Sequence, residues 1–408
     1  MRKHHLLLAL FAFLFAAQAQ ADFIIAPFGS DAFEPSKRTH VVVVSRGNDL
    51  GLAPQLSAIT KILKLHDVYP TDQIVLVTHA ETEGNLKWLK RSGFPQAAQQ
   101  PVEMAPKVLF DQLAVYSQLV SIHTYGHSAI IEGPYLGANG DRDIRLYPSS
   151  GEFKRLVGHF TADAFVTLNG CNLAHQLAPM LSSLWQLPVS GAMVGTHFEV
   201  LMANGFFAPL GAAESKWSKS ATIFSNSQNC VRGCFRMRPD NANYNGHYGK
   251  YSHGLSFYKF FCHGIDADAC DMGMARSIFS EVTEQPLGTV ITDAEYLAVV
   301  REWLCPIGHR ADRSVKEACM GKLAEVELEL ETKAVEEIDS KLRSYTPFFG
   351  RTASCDMYSC YKLPKCTKNF QNAQACAQVE TPKPGASTLV DEYLHYRRGL
   401  ALLRASSL

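Results

Sequence analysis

Residues 41–44 are four consecutive valines, Val41-Val42-Val43-Val44, preceded by Thr39 and His40 and followed by Ser45. A strand with one wet face alternates polar and apolar residues. An unbroken β-branched run must instead be covered on both faces, as a central strand of a parallel sheet is. Similar runs recur at Ile74-Val75-Leu76-Val77, Leu119-Val120-Ser121-Ile122, Ala164-Phe165-Val166-Thr167-Leu168 and Leu187 to Val194. Helical spacing falls between them. Leu56, Ile59, Ile62 and Leu63 share a face, Trp88 and Leu89 sit in a second helix, and Leu109, Leu113 and Tyr116 line one side of a helix over 104–118. Ser149 and Glu152 are spaced as a capping box ahead of Phe153 and Leu156, and Asn172 to Leu184 is predicted helical. Strand and helix thus alternate from about residue 38 to about 205, which predicts right-handed βαβ units: an α/β sheet, parallel, with helices on both faces.

The N-terminus reads as a processing signal. Arg2 and Lys3 precede an apolar run from Leu6 to Ala17, and Ala19-Gln20-Ala21 has the form of a cleavage site. No later apolar run approaches the roughly 20 residues a spanning helix needs. The expected organisation is a signal peptide at 1–21, an N-terminal arm at 22–37, the α/β domain at 38–215, a cysteine-rich and mostly helical region at 216–377, and a linker with a C-terminal helix at 378–408. Within the second half, 226–254 reads as a long loop rich in Asn, Gly, Tyr and Arg, and 255–345 as mostly helical. The acidic run at 325–331 is taken as helix, and so is 389–403.

Export predicts a periplasmic or secreted protein in an oxidising compartment, which gives meaning to eleven cysteines. Ten fall from Cys230 onward: Cys230, Cys234, Cys262, Cys270, Cys305, Cys319, Cys355, Cys360, Cys366 and Cys376. They can pair among themselves, and their short spacings make Cys230 with Cys234 and Cys262 with Cys270 plausible local bridges. Cys171 stands alone, so it is expected to remain a free thiol. Lys+Arg and Asp+Glu each total 39, so the formal net charge is zero. That argues against nucleic acid as the partner, because phosphate binding normally shows as a basic excess.

Open parallel sheets bind ligands beyond the carboxyl ends of their strands. The third strand runs into His123-Thr124-Tyr125-Gly126-His127-Ser128, and the fourth into Asn169-Gly170-Cys171-Asn172. Both sets of side chains should therefore meet at one edge. A thiol nucleophile needs an imidazole to take its proton and later protonate the leaving group, and Cys171 with His127 supplies that pair. A helix starting at Asn172 would add its N-terminal dipole to favour the thiolate. His123 is the rival base, four residues earlier and within the strand. His175, at i+4 from Cys171, makes a metal pair conceivable, but two ligands are too few for zinc. His253-Gly254 and His263-Gly264 repeat a His-Gly step without a preceding strand. Ser149, Ser150 and Ser190 lack a nucleophile-elbow pattern.

An ordered His at one strand end and Gly-Cys at the next resembles the caspase-like cysteine peptidases, the group of caspases, separases, gingipains, legumains and clostripain. Tyr125-Gly126-His127-Ser128-Ala129 resembles the separase Gly-His-Gly step, and Leu168-Asn169-Gly170-Cys171-Asn172 its Gly-Cys step. Gly191-Ala192-Met193-Val194-Gly195-Thr196 is similar to the strand that follows the nucleophile there. The resemblance covers roughly residues 38 to 215. It implies a caspase-like sheet, hydrolysis of a peptide or protein substrate by Cys171 and His127, no cofactor, and an oxyanion hole formed by the backbone N–H groups of Cys171 and of the residue after the histidine. That residue is usually Gly in the family and is Ser128 here. Arg46, after the first strand, is where some members place a pocket residue. The alternatives to an exported cysteine peptidase are a catalytically silent caspase-like binding module and another Cys-His acyl-transfer enzyme.

Overall fold

A computed structural model of the chain describes residues 23–29, 32–45, 52–79, 83–100, 104–129, 133–136, 145–174, 176–192, 195–201, 207–209, 235–239, 258–282, 292–304, 320–321, 323–328 and 389–406. Residues 1–21, expected to be a signal peptide, together with Arg46, His175, His253 and the cysteines other than Cys171, Cys262 and Cys270, lie outside these residues. In chain order the strands are β1 (Phe23–Pro27), β2 (Thr39–Val44), β3 (Gln73–His79), β4 (Leu119–Tyr125), β5 (Ser128–Ala129), β6 (Gly133–Pro134), β7 (Phe160–Asn169), β8 (Val189–Ala192), β9 (Thr196–Leu201), β10 (Phe207–Pro209), β11 (Phe235–Pro239) and β12 (Tyr258–Phe261). The helices are α1 (Ala53–Val68), α2 (Glu83–Arg91), α3 (Pro106–Leu113), α4 (Leu177–Trp185), α5 (Ala267–Val282), α6 (Asp293–Leu304) and α7 (Leu389–Ser406).

The main sheet has seven strands in the order β1-β3-β2-β4-β7-β8-β12. The five strands expected from the sequence form its parallel centre. The valine run explains itself here: Val41 and Val43 pack into the core on one face, Val42 and Val44 into the core on the other. Ile74 to Val77 divides in the same way. The first face is covered by α3, α4 and a 3-10 turn at Gly151–Leu156, through Leu109, Phe110, Phe153, Leu177, Leu181 and Trp185. The second face is covered by α1 and α5. The structure therefore has the expected class, a mostly parallel α/β sheet followed by a helical region with a disulfide. That disulfide joins Cys262 to Cys270, from the end of β12 to the first turn of α5.

Several local expectations change. β1 pairs antiparallel with β3, and β12 antiparallel with β8, so each edge of the parallel sheet gains a strand from outside the stretch 38–215. Phe235–Pro239, inside the stretch read as a loop, is a strand paired with β9. Ser150, not Ser149, caps the 3-10 turn, its Oγ accepting from the Glu152 N–H at 3.3 Å. The helix expected from Asn172 begins at Leu177.

Polar residues in the central strands meet partners on the second face. Ser121 Oγ lies 2.7 Å from His40 Nδ1 and 2.8 Å from His123 Nε2. Thr167 Oγ1 lies 2.9 Å from Ser277 Oγ of α5, and Lys61 of α1 donates to Ser280 Oγ at 2.8 Å. These pairings account for Ser121 and Thr167 interrupting otherwise apolar runs, since a buried hydroxyl needs a partner.

Candidate active site

β4 and β7 are parallel neighbours, with Tyr125 opposite Asn169. Their next residues, Gly126 and Gly170, leave the sheet side by side, and each is forced to be small. Gly126 adopts φ +139°, and a Cβ there would lie 1.5 Å from Ser45 Oγ at the end of β2. A Cβ on Gly170 would lie 2.3 Å from Ser128 Oγ and 2.8 Å from Leu173 Cδ1. Two glycines thus let the loops carrying His127 and Cys171 close over the strand ends.

His127 is half-buried. A short hairpin, β5 with β6, holds its loop: the Tyr135 N–H donates to the His127 carbonyl at 2.9 Å, and the His127 and Tyr135 rings are 6.5 Å apart. The Arg145 guanidinium sits 4.3 Å over the Tyr135 ring. The Tyr135-to-His127 bond marks Ser128/Pro134 as the wide pair of the ladder, so the hairpin does not consume the Ser128 N–H.

Cys171 is half-buried and, among the described residues, the free cysteine. Its carbonyl accepts a hydrogen bond from Ser128 Oγ at 2.9 Å. Its sulfur receives the Thr196 N–H at 3.3 Å and lies 3.6 Å from Thr196 Oγ1 and 3.9 Å from the Thr196 carbonyl oxygen. Among the described residues, the sulfur's hydrogen-bond partners all belong to Thr196 rather than to His127. Asn172 takes a left-handed conformation, φ +63°, with its Oδ1 buried and without a hydrogen-bond partner among the described residues. Such backbone is uncommon outside glycine and interrupts a helix at once. No helix can therefore start at Asn172; α4 begins at Leu177, and the helix-dipole argument for Cys171 does not hold.

His123 is separated from this edge. It is fully buried on the α1/α5 face of β4, its ring edge against Phe165, its Nε2 on Ser121. Burial, with the Lys61 and His40 charges nearby, pushes its pKa well below the ordinary histidine value. His127 instead shares a cavity of about 40 Å³ with residues of the opposite face, among them Leu109, Leu136, Leu173 and Trp185. No group of three or more His, Cys, Asp or Glu among the described residues is arranged to hold a metal ion. Thr196 is the residue that sequence reasoning missed. It appears only as the end of the fifth apolar run, and nothing local signals that it reaches a cysteine 25 positions away.

No family model matches the chain, and no curated protein matches it in sequence. Among solved structures, it is similar to a secreted C11 cysteine protease from Bacteroides thetaiotaomicron in complex with an irreversible peptide inhibitor. The identity is 9% and the TM-score 0.29, over 60% of this chain and 69% of that one. A secreted C11 cysteine protease of the same organism, iotapain, is 11% identical at a TM-score of 0.28, over 90% of this chain and 100% of that one. At these values the likeness carries no argument about chemistry, which rests on the geometry of the strand ends.

Proposed function

We propose that this protein is an exported cysteine peptidase of the caspase-like kind. The observation that supports it is the meeting of the His127 and Cys171 loops at one sheet edge, joined through Ser128 and Cys171. In this reading His127 takes the thiol proton and the Cys171 thiolate attacks the scissile carbonyl carbon. The new C–S bond leaves an oxyanion facing the backbone N–H groups of Cys171 and Ser128. Collapse breaks the C–N bond as His127 returns the proton to the departing amine. Water, deprotonated by His127, then hydrolyses the thioester and frees Cys171. The chain's own side chains balance every step, with peptide as substrate and no cofactor.

The Ser128 N–H, which the β5/β6 ladder leaves unused, matters most to this reading, because the chain departs from glycine there. The side chain adds a hydroxyl without removing the donor, and Gly170 provides the space for it.

The test is hydrolysis of a mixed peptide library by the wild-type protein and by Cys171→Ala. Loss of the nucleophile removes many orders of magnitude of rate, while a half-buried thiol contributes little to packing. Cleavage by the wild type and none by a folded Cys171→Ala variant is expected. Equal cleavage by both eliminates the mechanism. No cleavage by either favours the silent binding module, and acyl transfer to an added amine without hydrolysis favours the third reading.

A further inference from the structure

Thr196 opens β9 and faces Cys171 with three groups at once: its N–H, its hydroxyl and its carbonyl oxygen. An N–H at a strand end normally goes to the neighbouring strand or to water. This one points at sulfur. Thr196 stands on the last rung of the β9/β11 ladder, opposite Pro239. Proline has no N–H, so it cannot donate to the Thr196 carbonyl, and the ladder ends there. At this last rung the Thr196 N–H goes to the Cys171 sulfur. The next residues, Phe198 of β9 and Met237 of β11, are buried in the core under α1, which fixes where Thr196 stands.

We propose that Thr196 is a positioning residue for the Cys171 thiolate. It aims the sulfur and stabilises its anionic form by donating from both the N–H and the hydroxyl. A thiolate accepts such bonds more strongly than a thiol does, since charge-assisted hydrogen bonds are roughly twice as strong as neutral ones. The donation therefore biases the protonation equilibrium toward the nucleophile. This does the work that a helix N-terminus would have done, and that the structure withholds by starting α4 six residues after Cys171. The inference rests on Cys171 being the nucleophile, but the contact can be read on the thiol alone.

The experiment measures the rate of Cys171 alkylation by iodoacetamide against pH, in the full chain with its disulfides intact, for wild type, Thr196→Val and Thr196→Ser. Thr196→Val keeps shape and N–H but removes the hydroxyl. Its profile is expected to move to higher pH by roughly half a unit, about threefold less thiolate at a fixed pH below the midpoint. Thr196→Ser restores the donor and should overlay wild type. In the wild-type protein the Thr196 amide proton resonance should shift with the same midpoint as the alkylation profile. A Thr196→Val profile that overlays wild type overturns the proposal. So does an amide resonance that stays still while the thiol titrates, and this second reading decides alone if the valine variant does not fold. A protein that shows both effects yet cleaves no peptide keeps the Thr196 contact and loses the peptidase reading.

Discussion

Ser128 Oγ donates to the carbonyl of Cys171 at 2.9 Å, across 43 residues of chain. This one bond ties the loop after β4 to the loop after β7. It is possible only because residue 170 has no side chain: a Cβ there would take the place of the Ser128 hydroxyl. Ser128→Ala should therefore loosen the site as well as remove a bond. A net cost of about 1 kcal/mol in stability is expected, with a larger relative loss in turnover.

Gly170 and Ser128 should be coupled. Gly170→Ala forces the new methyl against Ser128 Oγ and Leu173 Cδ1 and should lower turnover at least tenfold, which is about 1.4 kcal/mol of activation free energy. Ser128→Gly clears the nearer obstacle, so the double variant should recover part of what Gly170→Ala loses. A double-mutant cycle in kcat/KM measures this. Simple additivity of the two losses would show that the hydroxyl and the glycine do not share space as described.

The two histidines of β4 and its loop should separate cleanly. His127→Ala should abolish turnover without loss of fold, because the side chain stands at the strand-end edge. His123→Ala should do the reverse. It leaves the buried Ser121 hydroxyl with one partner fewer and opens a gap beside Phe165, so it should unfold at lower urea by about 1–3 kcal/mol while the folded fraction keeps its rate. An inactive but fully stable His123→Ala protein would exchange their roles.

Acid stability should depend on Asp163. The Arg38 guanidinium grips its carboxylate at 2.8 and 3.2 Å. Burial alone would raise its pKa, but the hydrogen bonds from Arg38 and Thr161 and the charges of Arg276 and Arg38 outweigh it and hold the group at about 2. A carboxyl whose folded pKa lies below its unfolded one stabilises the fold above about pH 4, and that contribution is lost as the pH falls toward 2. The partners are partly exposed, so solvent screening reduces the effect to on the order of 1 kcal/mol. Asp163→Asn should therefore lower stability at pH 7 and match wild type near pH 2, measured by urea unfolding across that range. A difference between the two proteins that is constant with pH would remove the ion pair as its cause.

The parallel centre of the sheet was legible because each of its strands carries a largely apolar run buried on both faces, and nothing but a covered strand accommodates Val41 to Val44. The edge strands were not. Phe23 to Pro27 directly follows the stretch expected to be a signal peptide and reads as an arm. β11 does alternate, with Phe235 and Met237 inward and Arg236 between them, but five residues of period two are submerged in Asn, Gly and Arg. The placement of the loops after β4 and β7 at one edge followed from topology, since parallel neighbours end on the same side. The failure of a helix to start at Asn172 did not follow, because a left-handed asparagine leaves no mark in composition. Nor did the reach of Thr196 to Cys171 follow, because it crosses 25 residues from the first position of β9, a strand the sequence concealed.

The central claim, that Cys171 is a nucleophile served by His127, is tested most directly by a peptidyl chloromethyl ketone followed by mass mapping of the labelled peptide. The wild-type protein should carry one label, on Cys171, and His127→Ala should label far more slowly at neutral pH. Labelling confined to another residue, or equal labelling of Cys171 with and without His127, would contradict the account.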